Sequence, residues 1–215
     1  MFPGIRVRTS GGGEILDSVP ASPAIIVSTP GAEPVAEGGY GAALLLDSWA
    51  LLGRPDLRAV QNALRLWIGA AGLVRPASEG GRVFLSADSD SAVAQALVRW
   101  SPQSWAEREL ADRAEVGFPP AVHMIAVDGP AEALADFLED FRLIDSVEVL
   151  GPVDLPEGDQ LPGHDQIRDP ERLLLRVPPA GLDQVVNEVK AFVVGRSGRR
   201  NADPVRVRLD PIHIG

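Results

Sequence analysis

Short apolar runs and one long amphipathic segment organise the first half of the chain. Residues 24–29 (AIIVST) and 42–47 (AALLLD) are continuous apolar runs, which is typical of strands covered on both faces of a parallel sheet. Residues 55–74 repeat apolar positions at helical spacing, and a third strand is predicted at 82–86. The order strand, loop, strand, helix, strand predicts part of a parallel α/β sheet.

The second half has a different rhythm of short strands and helices. Two helices, at 89–98 and 104–115, precede it, and Gly117-Phe118-Pro119-Pro120 ends the second of them. The predicted elements that follow are a strand at 122–127, a helix at 131–141, strands at 146–150 and 172–177, a helix at 181–195 and a strand at 205–209. This βαββαβ order predicts a ferredoxin-like domain. A Pro-, Gly- and Asp-rich loop at 151–170 is predicted to be mobile.

The change of rhythm predicts a domain boundary within residues 101–121. We therefore expect two domains, residues 1–103 and residues 104–215. The chain length of 215 residues is compatible with two small domains.

Composition excludes several classes of protein. Apolar residues make up 45% and charged residues 23%, so disorder throughout is excluded. There is no apolar run of about 18 residues, the length that a membrane span needs, and the first residues lack the pattern of a signal peptide. Cysteine is absent, which excludes disulfides and thiolate chemistry and makes a cytoplasmic location the default.

The charge balance limits how this chain meets nucleic acid. Thirty acidic residues against twenty basic ones give a net charge of −10, whereas a dedicated nucleic-acid binder is normally basic. Any DNA contact is therefore expected to come from a local patch of positive charge.

Motifs for nucleotide and metal chemistry are missing. Neither GxxxxGK[ST] nor GxGxxG occurs, so no phosphate-cradling loop is expected. His123, His164 and His213 are scattered, which favours ordinary histidines over a metal site, and no cofactor is predicted.

Three further residues have a structural and a functional interpretation. Asp47 ends a predicted strand, where α/β active sites often lie, but a helix-capping or turn role is favoured. Trp67 and Trp100 lie in apolar stripes, which favours core packing over base stacking.

Arginines alternate along two strands of the second domain. Arg172 and Arg176 share one face of their strand, and Arg206 and Arg208 share one face of theirs. In a βαββαβ fold the helices cover one face of the sheet, so these arginines are expected on the open face. Arg196, Arg199 and Arg200 follow the second helix and extend the patch.

Two interpretations of this patch remain open. The functional one is contact with DNA phosphates. The structural one is an ordinary solvated sheet face that acidic residues neutralise. The acidic candidates are Glu148, Asp154, Glu157, Asp159, Asp165 and Asp169.

Several segments together resemble the PriA family of bacterial replication-restart helicases (primosomal protein N′). Residues 24–29 and Leu44-Leu45-Leu46-Asp47 are similar to the family strands ILIGT and VGVLDAD, and Pro55-Asp56-Leu57-Arg58-Ala59 is similar to PDFRA. Glu107-Arg108-Glu109-Leu110 with Gly117-Phe118-Pro119-Pro120 resembles the junction that leads into the family's C-terminal domain. Leu150-Gly151-Pro152 resembles its LGP motif, and Val205-Arg206-Val207-Arg208-Leu209 with Asp210-Pro211 resembles the closing VRVxxDVDP.

The resemblance implies a second RecA-like helicase lobe followed by the C-terminal domain of the family. The segment 69–76 departs from the family motif QVAGRAGR, whose Gln and arginines touch the nucleotide. Gly69 stands in place of the Gln, and Leu73 and Pro76 stand in place of the arginines, with Arg75 one position away. An arginine at such a site is worth about 10³–10⁵ in rate. This degenerate motif resembles that of actinobacterial members thought not to be helicases.

The resemblance implies a C-terminal fragment of a replication-restart protein, since Met1 begins inside the resembled fold. Its implied partners are forked or branched DNA, the tail of single-stranded DNA-binding protein and other primosome proteins, with no membrane. Two alternatives remain: a truncated ATP-dependent 3′-5′ DNA helicase, and a protein-interaction module without DNA affinity, which the acidic composition would suit.

Overall fold

The computed structural model describes residues 4–46, 48–141, 147–155, 170–198 and 203–211. Contacts divide the chain into two compact units, Met1–Ala106 and Glu107–Gly215, which we call unit 1 and unit 2. Each unit has its own cluster of buried apolar side chains. None of the helices in the described ranges is long and apolar enough to cross a membrane.

Unit 1 combines short strands with helices. Its strands are β1 (Arg6–Ser10), β2 (Ser18–Val19), β3 (Ala24–Ser28), β4 (Val35–Ala36), β5 (Ala42–Leu45) and β6 (Arg82–Leu85). Its helices are α1 (Ser48–Leu52), α2 (Ala59–Gly72) and α3 (Ala92–Val98), and α4 (Pro102–Val116) begins in it.

The strand pairs of unit 1 run parallel, as predicted, but they are arranged differently from the prediction. In the part of the chain that the structure describes, β1 pairs with β3, β2 with β4, and β5 with β6. Each pair forms its own two-stranded sheet, whereas the sequence predicted one continuous sheet. The chain is thus a mixed α/β protein with small sheets.

Helix α2 carries the core of unit 1. Ala63, Leu64 and Trp67 lie on its buried side, and they pack against apolar side chains of α3 such as Val93 and Leu97. The expected amphipathic stripe is therefore present, and the prediction that Trp67 belongs to the core is confirmed.

The prediction for Trp100 is wrong, because its side chain is 58% exposed. Trp100 follows α3 in the left-handed region, with φ of +51°. The backbone N–H of Trp100 donates to the carbonyl of Leu97, and the backbone N–H of Ser101 donates to the carbonyl of Ala96. This is a Schellman cap, in which the left-handed position usually belongs to glycine. The cap turns Trp100 away from the stripe that the sequence pattern assigned to it.

Unit 2 follows the predicted order of elements closely. They are β7 (His123–Gly129), α5 (Ala131–Asp140), β8 (Glu148–Asp154), β9 (Glu171–Val177), α6 (Leu182–Ser197) and β10 (Arg206–Leu209). The strands form one antiparallel four-stranded sheet in the order β10-β7-β9-β8. The two central strands are therefore β7 and β9.

One face of this sheet packs against both helices. Apolar residues at every second position of β7 and β9 meet the buried sides of α5 and α6. The buried members of this core are Ile125, Val127, Leu134, Phe137, Phe141, Val147, Leu173, Leu175, Val177, Val185 and Val189. The alternate positions of β7 and β9, including Arg172 and Arg176, therefore lie on the opposite face, and Arg206 and Arg208 of β10 lie beside them.

Strand β8 is longer than predicted and contains a bulge. It continues to Asp154, although the sequence predicted a loop from residue 151, and its register against β9 shifts between Leu150 and Val153. Gly151 lies in this irregular stretch with φ of +102°. A methyl group added there would lie 2.8 Å from the carbonyl oxygen of Arg172. Glycine alone fits here, which gives the Leu150-Gly151-Pro152 motif a structural reason. The rest of the predicted mobile loop, residues 156–169, lies outside the described residues.

Candidate nucleic-acid interface

The sheet of unit 2 brings the four predicted arginines to one face, which we call the arginine face. Arg206, Asp128 and Arg172 are neighbours across β10, β7 and β9, so they form one row. Arg208 lies in the next row, beside Ala126. Arg176 lies one row further, beside Met124 on one side and Glu148 on the other. The predicted alternation of these arginines is therefore present.

Asp128 is the centre of this face, and the sequence analysis missed it. Its Oδ1 accepts a hydrogen bond of 2.7 Å from Nε of Arg172, and its Oδ2 accepts one of 3.2 Å from Nη2 of the same guanidinium. Oδ2 also accepts bonds of 2.8 Å from Arg206 and 3.3 Å from Arg208. One carboxylate thus holds three arginines, and the pair with Arg172 has the bidentate geometry of strong ion pairs.

The expectation of an open face is wrong at its centre. Arg172 and Asp128 are both completely buried, whereas the side chains of Arg206 and Arg208 are 20% and 30% exposed. The physical reason is that a carboxylate in the middle of the sheet lets an arginine remain inside as an ion pair. Arg172 is therefore held inside the sheet by Asp128, while its two neighbours keep part of their surface accessible.

Arg176 occupies a separate position on the same face. Its Nη1 donates a 3.0 Å bond to Glu148, whose side chain is 57% exposed. A methyl group at Gly117 would lie 3.3 Å from the same Nη1, so the chain before β7 passes close to this guanidinium. The acidic residue Glu148 thus neutralises Arg176 in part, as the structural interpretation of the patch expected.

Arg196 has a structural role that the sequence analysis did not foresee. It is buried near the end of α6, where Nη1 pairs with Asp136 at 2.7 Å and Nε donates to the carbonyl oxygen of Asp203 at 2.9 Å. Its guanidinium also lies over the ring of Phe192. These contacts join α6 to α5 and to the approach of β10. Arg196 is therefore unavailable to extend the patch, and Arg199 and Arg200 lie outside the described residues.

A second carboxylate ties the edge strand to the centre of the sheet. Oδ1 of Asp210 accepts a bond from the N–H of Met124, and Oδ2 lies 2.8 Å from Nδ1 of His123. The N–H of Asp210 donates to the carbonyl of Met124. Asp210 thus has a structural partner in His123. Among the described residues no cluster of metal-ligating side chains occurs, and His164 and His213 lie outside them.

The degenerate motif lies where α2 ends. Gly69 is within α2, Leu73 ends that helix, and Arg75 lies beyond it beside Tyr40, whose carbonyl accepts the Arg75 N–H at 2.9 Å. Pro76 begins a short 3-10 turn. Asp47 lies outside the described residues, but Ser48 after it begins α1 and its hydroxyl donates to the carbonyl of Ser86.

Comparison with known proteins relates the second half of the chain to a known family. Residues 114–212 match the family described as primosomal protein N C-terminal domain. The matched residues include the whole four-stranded sheet of unit 2, its two helices and the arginine face, so unit 2 has the fold of this class of domain.

The relatives of the whole chain are more particular. It is 49% identical over 215 residues to the probable replication restart protein PriA of Mycobacterium leprae (strain TN), and 49% identical over 222 residues to that of Mycobacterium tuberculosis (strain CDC 1551 / Oshkosh). Each match covers 100% of this chain but 33% and 34% of the respective relative. The chain thus spans about a third of the length of these relatives, and it is related to the C-terminal third of PriA replication restart proteins. The resemblance that the sequence motifs indicated is confirmed.

Proposed function

We propose that this chain is the part of a replication-restart protein that binds forked DNA and supports primosome assembly. The observation that carries the proposal is the arginine face, which lies inside the matched primosomal domain and keeps Arg176, Arg206 and Arg208 partly exposed. Successive rows are two residues apart along a strand, about 6.7 Å, so Arg206 and Arg208 have the spacing to contact neighbouring phosphates. Among the residues that the structure describes, four arginines against Asp128 and Glu148 leave this face positive within an acidic chain.

The proposal includes the architecture that the resemblance implied. The sheet order of unit 2, with a helix after its first and third strands, supports a ferredoxin-like C-terminal domain at residues 104–215. The parallel strand pairs around α2 support a degenerate RecA-like second lobe at residues 1–103. By family resemblance the partners are the tail of single-stranded DNA-binding protein and other primosome proteins, in the cytoplasm.

The experiment is a titration of the chain with forked DNA at several salt concentrations. Each phosphate contact contributes about −0.9 to the slope of log K against log salt, so Arg206→Gln and Arg208→Gln should each flatten the slope by roughly one unit. Arg208→Lys retains the charge and should restore the slope. Lys190→Gln is the matched control, since Lys190 is exposed on α6, on the other side of the sheet.

Two results would contradict DNA binding at this face. One is salt-independent or undetectable binding of the folded wild-type chain, which would favour the protein-interaction module. The other is an equal loss in Lys190→Gln and Arg208→Gln, which would indicate a net-charge effect. Circular dichroism of each variant separates loss of binding from loss of folding.

We further propose that this chain does not hydrolyse ATP. The proposal rests on the missing P-loop and on Gly69, Leu73 and Pro76 in the nucleotide motif. Phosphate release is expected to stay at the blank rate with and without forked DNA. A DNA-stimulated rate above the blank would favour the truncated helicase instead.

A further inference from the structure

A cleft in unit 1 gathers a second set of arginines. Arg6 and Arg8 are two residues apart on β1, so both side chains leave the same side of the strand. Arg75 reaches the cleft from the segment after α2. The cleft has a volume of about 470 Å³, and Glu37 is the one carboxylate among the described residues that line it. We call it the arginine cleft.

Two glycines, Gly39 and Gly41, leave room for the side chain of Arg75. The N–H of Tyr40 donates to the carbonyl of Leu73 at 3.0 Å, and the N–H of Arg75 returns a bond to the carbonyl of Tyr40. A methyl group at Gly39 would lie 2.9 Å from Cγ of Arg75, and one at Gly41 would lie 3.0 Å from its Nη2. The side chain therefore lies along glycine backbone, and a larger residue at either position would displace it.

The arginine cleft carries more positive than negative charge. In the part of the chain that the structure describes, none of Arg6, Arg8 and Arg75 forms an ion pair, whereas the strand arginines of unit 2 are paired with carboxylates. Three guanidinium groups against Glu37 in the lining and Glu33 near Tyr40 leave a net positive charge that favours an anionic ligand. Phosphate meets this requirement, and its oxygens match the planar fork of arginine.

The other lining residues of the arginine cleft indicate which chemical group the ligand carries besides its phosphate. Val19, Ile26 and the ring of Tyr40 supply apolar surface beside the charges. The hydroxyl of Tyr40 donates to the carbonyl of Pro34 at 2.7 Å. Burial, together with the charge of Glu33, raises the pKa of Tyr40, so the phenol stays neutral and does not repel an anion. The site therefore suits an organic phosphate with an apolar or planar part.

We propose that the arginine cleft binds the phosphate of a nucleotide unit, with Arg6, Arg8 and Arg75 in contact with the phosphate oxygens. A free nucleotide and a single nucleic-acid strand offer this same chemistry. The inference is independent of DNA binding by unit 2, because the two surfaces share no residue.

The test measures binding of two probes to the full chain at low salt: adenosine monophosphate by calorimetry and a labelled oligothymidylate by anisotropy. The triple variant Arg6→Gln, Arg8→Gln, Arg75→Gln is expected to weaken binding about tenfold or more, since charge-assisted hydrogen bonds are lost. The matched control is Arg54→Gln, Arg58→Gln, Arg65→Gln, which removes three exposed arginines of unit 1 that do not line the cleft. It should stay within about twofold of the wild type, because no phosphate contact is removed.

A second variant tests the geometry without changing any charge. Gly41→Ala places a methyl group against Nη2 of Arg75 and is expected to weaken the same binding about threefold to tenfold, because a misplaced bidentate donor loses part of its hydrogen bonding. Loss for adenosine monophosphate alone identifies a free nucleotide, and loss for the oligonucleotide alone identifies a strand. Wild-type affinity in the cleft triple variant, or an equal loss in the control triple, would overturn the proposal. Fork binding through Arg208 is measured separately, so either proposal can fail without the other.

Discussion

The two arginine clusters of this chain differ in how the charge of their guanidinium groups is compensated. On the arginine face of unit 2, Asp128 holds three guanidinium groups, and Arg172 is completely buried with it. In the arginine cleft of unit 1, Arg6 and Arg8 lie on a short strand with no carboxylate paired to them among the described residues. On the arginine face, carboxylates of the protein itself compensate most of the arginine charge. In the arginine cleft, the arginine charge remains available to a ligand.

This difference has a consequence for stability. Removing one partner of a buried ion pair strands the other charge in a low-dielectric interior, which typically costs about 3–5 kcal/mol. Removing a solvated arginine costs little, because water already compensates the charge. Stability should therefore depend on the arginines of unit 2 and hardly at all on those of unit 1.

The largest expected effect is that of Asp128→Asn. It leaves Arg172 buried without its carboxylate, so unit 2 should lose about 3–5 kcal/mol of unfolding free energy. Urea unfolding followed by circular dichroism and by hydrogen exchange of β7 and β9 measures this. All four tryptophans lie in unit 1, so their fluorescence reports that unit separately. Glu148→Gln, at an exposed pair, should cost less than about 1 kcal/mol. Equal costs for the two variants would contradict the central role of Asp128.

The next effect compares two glycines that lie against arginines. Gly151→Ala puts a side chain at φ of +102° and against the backbone of Arg172, and should cost about 2–3 kcal/mol. Gly41→Ala meets only the movable end of Arg75, so its cost should stay below about 1 kcal/mol. Gly195→Ala, within α6 and facing open space, should stabilise unit 2 by about 0.5–1 kcal/mol. Chemical denaturation of the three variants gives this order, and a costly Gly41→Ala would mean that Arg75 is held rigidly.

A smaller effect is expected when the arginine cleft loses its charges. The triple variant of Arg6, Arg8 and Arg75 to Gln should change the unfolding free energy of unit 1 by no more than about 0.5 kcal/mol, since no native ion pair is broken. Tryptophan fluorescence in urea measures it. A loss of several kcal/mol would show that these arginines stabilise the fold, and the contrast with unit 2 would disappear.

The smallest effect is a titration beside the arginine cleft. Tyr40 is the single tyrosine, so tyrosinate absorbance reports it alone. Its pKa in the folded chain should lie above 10.0, mainly because of burial, and should return to that value in concentrated urea. The associated stability is present below pH 10 and is lost as the pH rises through the raised pKa. Glu33→Gln should lower the folded pKa by removing the nearby negative charge. An unchanged value in that variant would contradict the contribution of Glu33.

Sequence patterns predicted unit 2 better than unit 1. Alternation along β9 and β10 was enough to place their arginines on one face, because strand side chains have a period of two. The same count along β7 puts Met124, Ala126 and Asp128 on that face, so the signal for Asp128 was present but was overlooked. What alternation cannot supply is the order of strands, which brings Asp128 between Arg206 and Arg172.

The arginine cleft was not predicted for a different reason. Arg6, Arg8 and Arg75 are far apart in the chain, and β1 lies in a Gly- and Pro-rich stretch with a weak strand signal. Their meeting depends on the parallel pairing of β1 with β3 and on the bridge between Tyr40 and Val74. Such contacts follow from tertiary packing and leave no local pattern in the sequence.

The position of Asp128 also favours one register in the pairing of the edge strand β10 with the sheet. β10 has four residues, and the alternation Arg206, Val207, Arg208 would invert if the strand slipped by one position. Val207 would then meet the carboxylate, and both arginines would be driven into the apolar core. A shift of β10 by one residue is therefore unfavourable on both faces of the sheet, because it misplaces charge on one face and apolar side chains on the other. A strand that pairs in the wrong register should rearrange before the domain has finished folding.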